Sequence, residues 1–180
     1  PGSIVGPILF VVWPLVLLLE IVGKLLIVKL ALPPLKFIPT HAESWLNLDQ
    51  EELTRYTAEF ERLGFVCLGD YTLPSTQAIA RLFTHPQKFC FAEVGQFKNA
   101  PTYCSLFSFM EKRWSLTATN MHVDRNVSAI SRAFLQLPRS LSKQFDHDAS
   151  ASLLLQSLLD WREQVSHDLN LQVVQDANAE

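Results

Sequence analysis

"WPLVLLLEIVGKLLIVKL", residues 13–30, places Val, Leu or Ile at twelve of eighteen positions, yet Glu20 and Lys24 sit among them and Lys29 lies near the end. Whether this stretch crosses a membrane decides how the rest of the chain is read. From Ile4 to Leu19 there are sixteen residues without a charge. A helix needs about 20 apolar residues to cross a hydrocarbon core roughly 30 Å thick. Extension to Gly23 reaches that length, with Glu20 in the last turn. Lys24 follows Glu20 by four residues, so the two share one helical face in the favourable order. At a headgroup boundary Lys24 snorkels to water and Glu20 pairs with it. Pro33-Pro34 then ends the helix, because proline lacks the N–H and disfavours helix in the residue before it.

This reading predicts a single transmembrane span. Pro14 falls in its middle and frees the Phe10 carbonyl, which membrane helices tolerate when a neighbour or water takes that carbonyl up. Trp13, Pro14, Glu20 and Lys24 are therefore the expected contacts with the membrane or a partner helix. An in-plane or hairpin anchor competes, since Pro14 or Gly23 can turn the chain. A cleaved signal peptide does not fit, because the segment has no basic start and no small-residue cleavage site. Basic residues follow the span (Lys24, Lys29, Lys36) and none precedes it, which places the remainder on the cytoplasmic side or its equivalent.

Beyond Lys36 the chain reads as a small folded domain. Leu35 to Leu48 is a tether, with Trp45 placed to rest at the headgroups or on the domain. Asp49-x-x-Glu52 is a capping-box pattern. Leu53, Tyr56, Phe60 and Leu63 recur at helical spacing up to Gly64, so a helix is expected over about 50–63. Five β-rich runs follow: "FVCLGDYTL" (65–73), "QAIARLF" (77–83), "FCFAEVGQF" (89–97), "TYCSLFSFM" (102–110) and "WSLTATNM" (114–121). Short turn-like connections between them predict an antiparallel meander, since parallel strands need long crossovers. Val127, Ile130, Phe134 and Leu137 mark one later helix, and Leu154, Leu158, Trp161 and Val165 mark another over about 149–167. The expected fold class is α+β: an N-terminal transmembrane helix followed by a helix, a five-stranded antiparallel meander and C-terminal helices. The expected division is 1–36 transmembrane helix and flanks, 37–48 tether, 49–168 α+β domain and 169–180 polar tail.

The net charge of −3, from 15 basic and 18 acidic residues, gives no global field for nucleic acid. Three cysteines at wide spacing (Cys67, Cys90, Cys104) make a poor disulfide framework and fit a reducing compartment. No CxxC, HxxxH or HExxH spacing joins His85, Cys90, Cys104, His122, Asp124, His147 and His167, so no metal and no other cofactor is expected. A Cys–His pair, Cys90 with His85 or His122, would have to leave a strand interior to be reactive. No glycine-rich phosphate loop or nucleophile elbow is present.

What stands out is aromatic content. Phe89, Phe91, Phe107, Phe109 and Trp114 crowd the expected meander. If they share its covered face they are core. If some lie on the other face, they form a docking patch or an apolar-ligand pocket.

The runs "ERLGFVCLGDY" (61–71), "FTHPQKFCFAEV" (83–94) and "SFMEKRWSLTATN" (108–120) resemble a loose group of uncharacterised bacterial proteins, cyanobacterial in style. The resemblance covers about residues 50–121. It implies an N-terminal hydrophobic helix with a small α+β domain, and no catalytic residues.

The functional expectation is a non-enzymatic, single-pass accessory, assembly or docking subunit. Its expected partners are the lipid bilayer and an integral membrane protein complex, with no nucleic acid. Glu20 and Pro14 motivate it, being costly against lipid and acceptable against a neighbouring helix. The alternatives are a tethered sensor domain for an apolar small molecule or lipid, and a Cys/His-dependent hydrolase.

Overall fold

The computed structural model describes residues 13, 16, 19–23, 38–42, 45, 47–73, 77–122 and 139–175. The chain divides into two units, Pro1–Leu35 and Lys36–Glu180.

In the first unit the described residues, including 19–23, are helical, and Trp13, Val16, Leu19, Ile21 and Val22 are exposed. Glu20 is exposed as well, while Pro14 and Lys24 lie outside the described residues. Among the described residues no helix is long and apolar enough to cross a membrane. That finding corrects the expected transmembrane helix, the single-pass membrane character and the localisation derived from it. A span requires about 20 consecutive, predominantly apolar helical residues, and within the described stretch 19–23 Glu20 is a charged residue exposed on the helix.

The second unit is an α+β layer pair. Its sheet has seven strands in sequential order: β1 (Ile38–Thr40), β2 (Val66–Leu73), β3 (Ala78–His85), β4 (Cys90–Phe97), β5 (Tyr103–Met110), β6 (Trp114–Thr119) and β7 (Ser140–Gln144). The five expected runs are β2 to β6, all antiparallel to their neighbours. The five-stranded meander is nonetheless a misreading, for two reasons. The tether supplies β1, paired with β2 through Pro39↔Tyr71. At the other edge β7 runs parallel to β6. Residues 120–139 separate these two strands, long enough for the crossover that parallel pairing needs. The helix expected around Val127 to Leu137 lies outside the described residues.

Among the described residues two α-helices cover one face of the sheet. Helix α1 (Gln50–Arg62) starts where Asp49 accepts a hydrogen bond from the Glu52 N–H at 3.0 Å, satisfying one of the orphan donors of the first turn. It ends at Gly64, whose φ of +91° suits a residue without Cβ. Its stripe of Leu53, Tyr56 and Phe60 is buried. Helix α2 (Ala151–Leu169) is capped by Ser150, which accepts from the Leu153 N–H, and it closes on left-handed Asn170. It buries Ala151, Leu154, Leu155, Leu158 and Val165.

Strand alternation decides what meets these helices. Ile79 and Phe83 of β3, Cys90, Ala92 and Val94 of β4, Cys104, Leu106 and Met110 of β5, and Leu116 and Ala118 of β6 join the helical stripes in one core. Trp45, on the expected tether, packs against this core. Two polar groups tie the layers together. Asn120, fully buried, accepts from the Cys104 N–H at 2.7 Å and donates to the Tyr56 hydroxyl at 2.9 Å and the His147 carbonyl at 3.0 Å. Asp70 and Arg81 form a two-point ion pair at 2.7 and 3.0 Å, extended by the Ala42 N–H and the Thr57 hydroxyl. Burial works against the Asp70 charge, but Arg81 outweighs it and holds the carboxyl below its ordinary range.

Candidate functional site

The opposite face of the sheet carries the alternate residues. Across β4 and β5 the register sets Phe91 beside Phe107, Glu93 beside Ser105 and Gly95 beside Tyr103. On β6, Thr119, Thr117 and Ser115 stand beside Ser105, Phe107 and Phe109. This face therefore has an aromatic end (Phe91, Phe107, Phe109) and a polar centre (Glu93, Tyr103, Ser105, Thr119). None of these residues belongs to the core built with the two helices.

At the aromatic end, Phe91 and Phe109 touch, with ring centroids 5.9 Å apart. Phe91 and Phe107 are half-buried, and Phe109 is 46% exposed. The part of the cluster that Phe109 leaves in water forfeits burial energy. The other two expected docking aromatics are elsewhere. Trp114 packs on the core. Phe89 sits in the β3–β4 turn with φ +49°.

The polar centre is built around Gly95. A Cβ there would meet the Tyr103 ring at 2.6 Å, so only glycine lets that ring lie down across β4. Tyr103 stacks on Phe97 with centroids 5.6 Å apart, and Tyr103 and Ser105 hydrogen-bond Glu93. Burial is the main influence on the Glu93 carboxyl and lifts it to about 7, with those two hydrogen bonds pulling the other way. Tyr103 is pushed above its ordinary range, by burial first and by the Glu93 charge second. Ser105 and Thr119 share a hydrogen bond of 2.8 Å.

A second concavity lies on the helical side. A groove of about 590 Å³ runs between the β3–β4 turn and the C-terminal half of α2. Gln87 and Lys88 form one wall and Asp160, Arg162, Glu163 and Ser166 the other. Arg162 Nη1 donates to the Lys88 carbonyl at 2.6 Å and to the buried Ser108 hydroxyl at 3.3 Å. Burial lowers the guanidinium below the ordinary arginine range.

An interior recess under Ala42, Leu53, Ile79 and Val94 has no space for even a water molecule. The cysteines are free. Burial pushes the Cys90 thiol up to about 11 and the Cys104 thiol up to about 12, far from a nucleophilic thiolate at neutral pH. His85 faces Cys90 across the β3–β4 ladder, but its Nδ1 accepts from the Lys88 N–H and its ring packs edge-on against Phe65. Among the described residues no three His, Cys, Asp or Glu side chains gather as a metal site.

Glu93 and Arg162 are the site residues that sequence reasoning passed over. A signal existed for each. Glu93 interrupts the apolar positions of "FCFAEVGQF", and Arg162 falls four residues after Leu158 on the inner stripe of α2. Compared with known proteins, the chain matches no family model, no curated protein and no solved structure.

Proposed function

We propose that this chain is a non-enzymatic accessory or docking subunit, and that its contact surface is the sheet face turned away from the two helices. The observation that carries the reading is the Phe91–Phe107–Phe109 cluster, three neighbouring aromatics on adjacent strands with Phe109 standing into solvent. Aromatic side chains give the largest contact energies at protein interfaces and cluster at their centres. Ser115 and Thr117 border the cluster and supply a polar rim. The partner that fits is a protein presenting an apolar pocket wide enough for two phenyl rings.

The test uses the full chain with an affinity tag and compares it with Phe109→Glu and Phe107→Ser. Phe109 is exposed, so its replacement leaves the melting temperature within a few degrees of the parent. A partner retained by the parent and lost by both variants supports the reading. A partner retained equally by all three refutes it, as does a monomeric parent that retains nothing the variants do not. Sedimentation velocity separates a foreign partner from a second copy of the chain, since only the latter gives a concentration-dependent dimer that Phe109→Glu dissolves.

A further inference from the structure

Arg162 stands apart from the other well-placed arginines of the domain. Arg55 pairs with Glu52 and Glu59, and Arg81 pairs with Asp70. Arg162 is half-buried, yet among the described residues no carboxylate lies within ion-pair distance of it. A guanidinium withdrawn from water without an anion is costly. Its geometry is also preset. Nη1 is fixed by the Lys88 carbonyl and the Ser108 hydroxyl, which holds the guanidinium plane. The Nε–H and the two Nη2 hydrogens have no acceptor among the described residues, and they belong to a side chain that lines the groove of about 590 Å³. That free edge is the two-point donor that matches the two oxygens of a carboxylate.

From this arrangement we infer that the groove beside α2 is a receptor for a monoanionic carboxylate, held by the Nε/Nη2 edge of Arg162. Lys88 adds positive charge from the opposite wall. Asp160 and Glu163 line the groove as well, so a dianion such as phosphate meets two negative charges that a carboxylate meets at half the strength. The same two acids accommodate a cationic group on the ligand, as in an amino acid or the end of a peptide. The site lies on the helical side of the sheet and stands independently of the aromatic face.

The experiment follows the Arg162 Nε–Hε resonance of the full chain by NMR. Probes are acetate, acetyl-glycyl-glycine as the free acid, the same dipeptide as its amide, and inorganic phosphate. The expected result is a saturable shift with both acids in roughly the millimolar range, which is what one charge-assisted fork supplies. The amide gives none, and phosphate binds more weakly than either acid. Equal affinity for the two acids identifies a small organic acid as the source, and tighter binding of the dipeptide acid identifies a chain terminus; either outcome supports the site. Arg162→Lys keeps the charge without the fork and loses most of the response, and Arg162→Gln abolishes protection of the protein's melting temperature by the acids. Equal shifts with acid and amide overturn the inference. So does phosphate binding tighter than the acids, or acid protection that survives in Arg162→Gln. The acid–amide comparison is made on the parent protein, so it decides the matter even if a variant fails to fold.

Discussion

Glu93→Gln tests the polar centre of the sheet face through stability. An unfolded Glu titrates near 4.5, and the folded Glu93 titrates near 7. The folded chain therefore holds this proton more tightly than the unfolded one. The stabilisation is complete below about pH 4.5 and is lost as pH rises to about 7, because there the folded state must ionise a desolvated carboxyl. The gap between 4.5 and about 7, at about 1.4 kcal/mol per pH unit, comes to on the order of 3 kcal/mol. Remaining solvent contact at a half-buried side chain trims this to about 2 kcal/mol. Gln keeps the shape and the hydrogen bonds but does not titrate. Urea unfolding followed by tryptophan fluorescence, at pH 5, 6, 7 and 8, compares parent and variant. The variant should match the parent near pH 5 and exceed it by about 2 kcal/mol at pH 8, an upward shift of roughly 4–8 °C for a unit of this size. Histidine titration, including that of His85, is common to both and cancels in the difference. Curves that stay parallel across the range would refute the claim that Glu93 is held away from water.

Three further expectations concern the scaffold. Asn120→Ala strands the Cys104 N–H and removes the donor to Tyr56 and His147, so calorimetry should show a loss of about 2–4 kcal/mol; a loss under 1 kcal/mol would mean the junction relaxes around the gap. Gly95→Ala drives a methyl into the Tyr103 ring and should cost about 1–3 kcal/mol, and Tyr103→Phe in that background should not restore it, because the ring carbon Cζ is itself 2.6 Å from the added Cβ. In the native protein at pH 8, iodoacetamide should modify exposed Cys67 alone, with Cys90 and Cys104 reacting only after unfolding; native labelling of Cys90 would contradict its raised thiol.

How much of this was visible in the residues depended on periodicity. The capping pattern at Asp49 and the Leu53–Tyr56–Phe60 stripe located α1 to within a residue, since local hydrogen bonding and one buried face both act within the helix itself. Strands β2 to β6 were legible for the same reason: each is long enough to alternate, and turn residues separate them. Strand β1 has three residues and includes Pro39, too short for any period to emerge from the tether. Strand β7, "SLSKQ", is polar and exposed over much of its length, and its parallel partner is fixed by long-range pairing that no local pattern encodes. The leader was read from apolar composition alone, and among the described residues no helix is long and apolar enough to cross a membrane. At the candidate site, alternation separated Phe91, Phe107 and Phe109 from Cys90, Cys104 and Leu106. Which set met the helices is a tertiary fact. The Glu93–Tyr103 contact needed the cross-strand register, and Arg162 needed the β3–β4 turn to come against α2.

The two margins of the sheet have a consequence for how this domain meets others. β1 offers only three residues, one of them a proline without a donor, and β7 presents Ser142, Lys143 and Gln144 to solvent. Both are poor templates for an incoming strand. Growth of the sheet by backbone pairing, whether with a partner peptide or in fibrillar stacking, is discouraged at either border.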